Sequence, residues 1–361
     1  KRITSTCMLQ VTFLMSLYRN YKTSVRVVSL LSQRHFHNRH HWLQQQQVNR
    51  ILASNYSTTF SVSQSSFTST PKSSIMTDIF SSLTSPPAPK STLVPPGKCQ
   101  FTAEFTSCKL LEKKSVSETS SVLRFELPDT SKALNLSTCA CILARLELKK
   151  ENEELEQVIR PYTPISTNEL IGSFDLLVKH YPNSKMSGHM YEMNVNDTLD
   201  FKHIDFNVKI QAPFKPCTRI GMIVGGTGIT PMIQALHAIL GSGGEETPIK
   251  VDMLYGSRTS DDILGKELLD KWAKENKNLF SVTHVLSNEP EESKWDEGER
   301  GFITKELIES SFGPPSEGEK VKIFVCGPPP MYDVFCGPRT ETDLTGVLKD
   351  IGYDASQVYK F

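Results

Sequence analysis

The strongest constraint on the fold is an alternation of short apolar runs and amphipathic, helix-length segments from Arg219 to the last residue. The run Arg219–Val224 leads through a glycine-rich turn into a segment whose apolar residues recur on one helical face until Gly241. Thr230 is a candidate N-cap there, with Pro231 at the first helical position. Strands that alternate with helices in this way form a doubly wound α/β sheet of parallel strands. The same cycle predicts strands at Ile249–Tyr255, Leu279–Leu286 and Val321–Val325, and helices at Asp262–Glu275, Thr304–Phe312 and Leu344–Ile351.

The chain before this alternation has the two-residue period of half-buried strands. Leu123, Phe125 and Leu127 are apolar, and charged residues stand between them. The pattern recurs from Ile142 to Leu148, and residues 174–181 form a further candidate strand. Because no helix-length periodic segment interrupts these runs, residues 98–214 are predicted to form an all-β antiparallel barrel or sandwich. Residues 215–361 are then the α/β domain.

Residues 1–97 differ from the rest in charge and composition. No Asp or Glu occurs before Asp78, whereas nine Lys and Arg residues do. This is typical of an organelle-targeting presequence, and we expect a mitochondrial protein, with a plastid or an ER-associated location as alternatives. The apolar patch Met8–Tyr18 spans eleven residues, fewer than the roughly twenty that cross a bilayer, so no transmembrane span is predicted. From Ser57 to Pro96, Ser, Thr and Pro dominate, which predicts a disordered linker.

Charge and cysteine spacing exclude several classes of protein. Forty basic and forty acidic residues balance, so nothing favours a nucleic acid as partner. None of the eight cysteines forms a Cys-x-x-Cys pair, so neither a zinc site nor an iron–sulfur cluster is expected, and no metal site is predicted. Cys139 and Cys141 are predicted as two buried thiols on one strand.

The turn after the first parallel strand reads Gly225-Gly226-Thr227-Gly228-Ile229-Thr230-Pro231. Glycines at such a turn let the backbone approach a pyrophosphate, and the N–H groups of the following helix bind its charge. The turn lacks the Gly-Lys-Ser/Thr ending of a nucleoside-triphosphate loop. The motif therefore indicates a dinucleotide site, and the alternative is a tight turn that serves packing alone.

A second motif, Cys326-Gly327-Pro328-Pro329-Pro330-Met331, directly follows the strand Val321–Val325. The carboxyl end of a strand in a doubly wound sheet faces the ligand crevice, so Cys326 is expected to project where a nicotinamide ring could lie. The alternative is a rigid loop that buries a thiol.

The third motif, Arg160-Pro161-Tyr162-Thr163-Pro164-Ile165-Ser166, lies in the all-β part. An arginine fork suits a phosphate, a tyrosine offers a flat face or a hydroxyl to a flavin, and a threonine hydroxyl can bond a ring nitrogen. A lone arginine after a strand would be a solvated surface residue, so the prediction depends on the combination.

These three motifs, in this order and with the β part first, resemble the flavin reductases of the ferredoxin-reductase superfamily, and most closely the NADH-cytochrome b5 reductase family. The resemblance extends from about Phe101 to the last residue. It implies FAD and NADH as cofactors, hydride transfer from the nicotinamide to the flavin, and single-electron transfer to a separate haem protein such as cytochrome b5. It also implies a β-barrel that binds FAD and an α/β domain that binds the nicotinamide nucleotide.

The resemblance assigns roles to individual residues. Arg160 is implied to bind the flavin pyrophosphate, Tyr162 and Thr163 to lie against the flavin, and Cys326 to hold the nicotinamide. Thr163, near flavin N5, and Cys326 are the expected catalytic residues. Further contacts to FAD or to the dinucleotide are implied for Pro161, Ser166, Val178, Lys179, Tyr181, Lys185, Met186, Ser187, Gly226, Thr227, Gly228, Thr230, Pro231, Gly327, Pro328 and Met331.

Two further points bear on function. Asp262, at the position where relatives carry an acid, favours NADH because a carboxylate bonds ribose hydroxyls and repels a 2′-phosphate. Arg258 instead favours NADPH, and helix capping is a second role open to Asp262.

One alternative function is an NADPH-preferring reductase that serves another electron-transfer partner, and a second is a flavin-free regulatory module that only binds nucleotide. A monomer is expected, and one departure from the family is the sequence Pro182-Asn183-Ser184, where glycines are usual.

Overall fold

The computed structural model describes residues 98–150, 153–204, 214–241 and 248–361. The predicted presequence and linker lie outside these residues. Within the described part of the chain, no helix combines the length and the apolar character needed to span a bilayer.

The first half of the described chain forms one six-stranded antiparallel sheet, in the order β4-β3-β6-β1-β2-β5. Its strand pairing follows the predicted alternation: Leu123 pairs with Leu176 and Phe125 with Phe174, so that apolar side chains meet on one face. Phe101, Phe125, Phe174 and Phe201 form the centre of this core, with ring centroids 4.9–6.1 Å apart. The strands are β1 (Thr106–Ser117), β2 (Ser120–Glu126), β3 (Ile142–Lys149), β4 (Leu155–Tyr162), β5 (Ser173–Lys179) and β6 (Thr198–Lys202).

A short helix interrupts this all-β part, contrary to the prediction. Helix α1 (Lys185–Glu192) follows β5, and the Ser184 hydroxyl caps it by accepting the Ser187 N–H at 3.4 Å. Met186 and Met190, one helical turn apart, are buried in the barrel core. Lys185, Met186 and Ser187, for which cofactor contacts are implied, therefore form the first turn of a helix.

The second half forms a six-stranded parallel sheet in the order β10-β9-β8-β7-β11-β12, with helices on both faces. The predicted fold class, an antiparallel FAD-binding barrel followed by a doubly wound α/β domain, is confirmed. The strands are β7 (Arg219–Gly225), β8 (Lys250–Ser257), β9 (Phe280–Leu286), β10 (Gly298–Arg300), β11 (Val321–Cys326) and β12 (Val358–Lys360). The helices are α2 (Ile229–Leu240), α3 (Lys266–Glu275), α4 (Lys305–Ser311), α5 (Pro329–Phe335) and α6 (Gly346–Ile351).

Each face of the parallel sheet has its own core. Met222 and Val224 of β7 pack with α2 and α3 on one face, whereas Ile223 packs with α4, α5 and α6 on the other. Burial of each such aliphatic side chain contributes about 1.5–3 kcal/mol. Two covered faces explain why the central strands β7 and β11 are largely apolar rather than alternating.

Three predicted helix boundaries were wrong. A 3₁₀ turn at Gly226–Gly228 runs directly into α2, whose N-cap is Gly228, so Thr230 is not the cap and Pro231 is the third helical residue. Residues Ser260–Asp262 form a separate 3₁₀ turn, and Gly265 (φ 72°) precedes α3, so no continuous helix begins at Asp262. The last helix begins at Gly346 rather than at Leu344, because the positive φ of Gly346 (72°) breaks a helix that would include both.

Candidate functional site

The helix after the glycine turn lies against the loop that follows β4. The side-chain amide of Gln234, on α2, donates to the carbonyl oxygens of Pro164 (2.8 Å) and Ser166 (2.6 Å). The Cys139 thiol donates to the carbonyl oxygen of Pro231 at 3.2 Å. These contacts bring the third sequence motif against the first, and they form one side of a cleft.

A cavity of about 360 Å³ occupies this cleft. The barrel supplies one wall, and the carboxyl ends of β7 and β11 supply the other. All but five of the predicted site residues line it: Arg160, Pro161, Tyr162, Thr163, Val178, Lys179, Tyr181, Met186, Ser187, Thr227, Gly228, Thr230, Pro231, Cys326, Gly327 and Pro328.

The barrel wall carries the motif at the end of β4. Arg160 is exposed, and its Nη1 donates to the carbonyl oxygen of Ile159 at 2.8 Å. Among the described residues it forms no ion pair, so its charge is available to an anion. Tyr162 lies half-buried beside it, and burial raises the pKa of Tyr162 to about 12, which keeps the phenol neutral. Thr163 follows at the cavity wall.

The opposite wall is built from two loops whose backbones touch. A Cβ on Gly228 would lie 2.1 Å from the carbonyl oxygen of Cys326, and a Cβ on Gly225 would lie 2.6 Å from the sulfur of Met331. Only glycine fits at position 228, where the opposing atoms are backbone, whereas a side chain at position 225 would have to displace the side chains of Met331 and Pro328. The Tyr255 hydroxyl holds the glycine turn from behind by donating to the carbonyl oxygen of Gly226 at 3.0 Å. The strand register sets this arrangement, since Cys326 pairs with Val224.

Five predicted site residues lie elsewhere. Ser166 is buried, and its hydroxyl accepts the Asp175 N–H at 2.9 Å. Lys185 is bonded to Glu156 outside the cavity. Gly226 forms the outer part of the glycine turn, and Met331 packs behind both loops. These four residues lie outside the cavity lining, and their contacts with a bound cofactor stay predictions. The fifth residue is Asp262, whose carboxylate accepts a hydrogen bond from Lys179.

The ion pair of Lys179 with Asp262 joins the two domains at the rim of the cavity. The ammonium of Lys179, at the end of β5, lies 3.0 Å from the carboxylate of Asp262, beyond the end of β8. Both side chains are largely buried, with 16% and 22% of their surfaces exposed. Asp262 therefore does not cap α3, and part of its charge is neutralised by a residue of the barrel.

Sequence reasoning missed several residues of the cavity wall. The prediction of two buried thiols on one strand was right only for the burial of Cys139. Cys139 lies in a turn with φ 61°, and Cys141 is half-exposed one residue before β3. The local sequence around Cys139 does not indicate its positive φ, so the turn could not be predicted. Ser184 lines the cavity where the family has glycine. The remaining missed residues are Leu177, Gly225, Tyr332, Arg339 and Phe361. Leu177 lies two residues before Lys179 on β5, so the strand alternation could have indicated it, and the glycine run could have indicated Gly225.

The cleft fits a flavin and a dinucleotide on three observations. The exposed cation of Arg160 has no carboxylate partner within the described residues and suits a pyrophosphate. Gly225 and Gly228 hold two loops in backbone contact, which a phosphate-binding turn requires. The rest of the wall combines apolar side chains with polar groups that can fix the orientation of a ligand, as small-molecule sites do. Fold and site together define a two-domain oxidoreductase that binds a flavin and a nicotinamide nucleotide.

Comparisons with known proteins give the family. Residues 107–205 match the oxidoreductase FAD-binding domain and residues 222–337 the oxidoreductase NAD-binding domain. The chain is 37% identical over 263 residues to NADH-cytochrome b5 reductase 2 of Yarrowia lipolytica, covering 72% of this chain and 86% of the relative. The corresponding protein of Candida albicans is 37% identical over 263 residues, covering 72% and 83%. The chain belongs to the NADH-cytochrome b5 reductase family.

Solved structures agree with this fold. The cytochrome b5 reductase domain of Ulva prolifera nitrate reductase is 27% identical with a TM-score of 0.60, covering 76% of this chain and 100% of that domain. A ferredoxin NADP⁺ reductase from Neisseria gonorrhoeae with bound FAD and NADP is 17% identical with a TM-score of 0.53, covering 71% and 98%. The second similarity concerns the fold alone.

Proposed function

We propose that this chain oxidises NADH by means of bound FAD and transfers single electrons to cytochrome b5 or a similar haem protein. The observation that carries the proposal is the shared cavity, which the flavin-type motif at Arg160–Thr163 and the nicotinamide-type motif at Cys326–Pro328 line from opposite sides. The naming of its relatives as NADH-cytochrome b5 reductases supports the same substrate and acceptor.

Each wall of the cavity has its own task. When bound, FAD supplies the chemistry, since it accepts a hydride from NADH and releases electrons singly. Arg160 binds the pyrophosphate, neutral Tyr162 offers its ring and hydroxyl, and the Thr163 hydroxyl donates to the flavin ring. Cys326 and Pro328 position the nicotinamide. The protein thus contributes orientation, which can supply a large part of the rate enhancement.

The proposal includes a location and an assembly state. The acid-free segment before Asp78 supports a presequence that directs the protein to mitochondria. We further propose that the chain acts as a monomer, because one described chain supplies all the residues of the cavity.

We expect the purified protein to be yellow, to lose its flavin absorbance on anaerobic titration with NADH, and to reduce ferricyanide and cytochrome b5. One absorbance spectrum followed by the titration checks this. Protein that retains no flavin, even after incubation with FAD, but binds nucleotide would support the regulatory alternative instead. Faster bleaching by NADPH than by NADH would favour the NADPH-preferring alternative.

Replacement Asp262→Thr is expected to raise kcat/KM for NADPH relative to NADH by about tenfold, the effect of one weakly screened charge pair. The change removes a carboxylate that repels a 2′-phosphate, and it leaves Lys179 without its partner. In the double variant Asp262→Thr/Lys179→Met, the rise in kcat/KM for NADPH relative to NADH should be smaller, because the ammonium left without its partner is also removed. The matched control is Asp261→Thr, at the exposed neighbouring carboxylate. An unchanged preference in Asp262→Thr would show that this acid does not act on the nucleotide.

A further inference from the structure

The loops that follow β8 and β9 are joined side by side at the carboxyl edge of the parallel sheet. The Ser287 N–H donates to the carbonyl oxygen of Ser257 at 3.0 Å, and the Asn288 N–H donates to that of Arg258 at 2.8 Å. The strand β8 is adjacent to β7, which carries the glycine turn. A dinucleotide whose pyrophosphate lies on that turn places its adenosine ribose at the end of the neighbouring strand. The joined loops therefore flank the ribose position.

Glu289 extends this contact through its side chain. One carboxylate oxygen accepts the Ser260 N–H at 2.7 Å, and the other accepts the Ser260 hydroxyl at 3.0 Å. The Ser260 N–H, with smaller contributions from Ser293, the Ser260 hydroxyl and Arg300, lowers the pKa of Glu289 below its usual range. Arg300 also fixes the loop by donating to the carbonyl oxygens of Glu289 (3.2 Å) and Pro290 (2.9 Å). The carboxylate is thus ionised and held in place.

A phosphate is bound well by the N–H and the hydroxyl of one residue together with an arginine in the same loop. Here the Ser260 pair is already bonded to an anion of the protein itself, and the exposed Arg258 is the cation of that loop. We infer that Glu289 is a further specificity-determining residue, which occupies the donors of Ser260 and places a negative charge where the 2′-phosphate of NADPH would lie. The inference rests on the proposed function, since it concerns the choice of nucleotide at that site.

Glu289 acts independently of Asp262. The Asp262 carboxylate lies 3.0 Å from the ammonium of Lys179, so the positive charge of Lys179 offsets part of the negative charge of Asp262. The oxygens of Glu289 are bonded to neutral groups, the amide and the hydroxyl of Ser260, and the attraction of Arg300 is the smallest of the contributions that lower its pKa. Of the two carboxylates, Glu289 therefore has the less directly compensated charge. Repulsion between charges a few ångströms apart at a partly exposed site is large enough to change an affinity at least tenfold.

The test compares Glu289→Gln and Glu289→Ala with the native holoenzyme. The glutamine variant keeps the shape and one acceptor for Ser260 but loses the charge. Two quantities are measured: the ratio of kcat/KM for NADPH to that for NADH, and the dissociation constants of adenosine 2′,5′-bisphosphate and of AMP, by calorimetry. The matched control is Glu291→Gln, two residues along the same loop and exposed.

In both variants we expect the NADPH to NADH ratio to rise about tenfold and adenosine 2′,5′-bisphosphate to bind about tenfold more tightly, with AMP binding unchanged. Both gains should fall at high ionic strength and in Glu289→Gln/Arg258→Met. The inference is overturned if both variants melt and reduce NADH like the native protein while the ratio and the bisphosphate affinity stay unchanged. Failure of the native holoenzyme to retain flavin or to oxidise NADH would count against the proposed function instead.

Discussion

Replacing Arg160 with alanine is expected to yield folded protein that purifies without FAD. The guanidinium is exposed and, among the described residues, bonds only the carbonyl oxygen of Ile159, so its loss should change the free energy of unfolding by no more than about 0.5 kcal/mol. In the holoenzyme the same group would donate a pair of charge-assisted hydrogen bonds to the pyrophosphate, each worth about 1.5–3 kcal/mol. The dissociation constant for FAD should therefore rise more than a hundredfold, since each 1.4 kcal/mol corresponds to about tenfold.

The ratio of flavin absorbance to protein absorbance after gel filtration checks this result. Arg160→Lys keeps the charge but not the fork, and it should retain an intermediate amount of FAD. The contrasting control is Arg145→Ala on the adjacent strand, where the guanidinium is bonded to Asp200 at 2.6 Å and lies over the ring of Phe105. That variant should lose stability and keep its flavin. Full FAD occupancy in Arg160→Ala would remove Arg160 from the binding site.

The order of strands and helices could be predicted because it is encoded over short stretches of sequence. The alternation through Leu123 and Phe125 fixes one barrel strand, and the uninterrupted apolar run at Arg219–Val224 fixes the first parallel strand. The boundaries that were wrong depend on single residues. The left-handed backbone of Gly265 separates α3 from the turn at Ser260–Asp262, and no periodic pattern records it.

Helix α1 escaped the prediction for a different reason. Its eight residues show only two buried methionines and include Gly188 in their middle, so the apolar period is too short to distinguish from a loop. The cap at Ser184 was the signal that could have found it, since a serine before a Met-x-x-x-Met spacing is a helix start.

The parts of the site that could be predicted are contiguous in sequence, such as Arg160–Thr163 and the turn from Gly225 to Gly228. What could not be predicted is the pairing of residues far apart. Lys179 and Asp262 are 83 positions apart, and Ser260 and Glu289 are 29 positions apart. The first pairing follows from the packing of the barrel against the α/β domain, and the second from the adjacency of β8 and β9 in the parallel sheet. Each changes the electrostatics of a motif that looks complete in the sequence. The choice of nucleotide is therefore a tertiary property of this chain.

Replacement Gly228→Ala is expected to reduce the rate of flavin reduction by NADH more than a hundredfold. The added Cβ would lie 2.1 Å from the carbonyl oxygen of Cys326, 2.5 Å from its carbonyl carbon and 2.9 Å from the nitrogen of Gly327. All three are backbone atoms, so relief requires the glycine turn and the Cys-Gly-Pro loop to separate by about 1 Å. Misplacement of that size costs about a hundredfold in rate, and the strain should lower stability by about 1–3 kcal/mol.

Stopped-flow reduction of the flavin and a thermal melt measure these two effects. FAD content should fall less than the rate, because the pyrophosphate is assigned to Arg160 on the other wall. Two glycines serve as matched controls, since a Cβ on either Gly226 or Gly188 meets no atom within 4 Å. Gly226→Ala should lose about 1 kcal/mol of stability through its positive φ of 53°, and Gly188→Ala, inside α1, should gain about 0.5–1 kcal/mol. If Gly228→Ala reduced its flavin at the native rate, the backbone contact between the two loops could not be what places the nicotinamide.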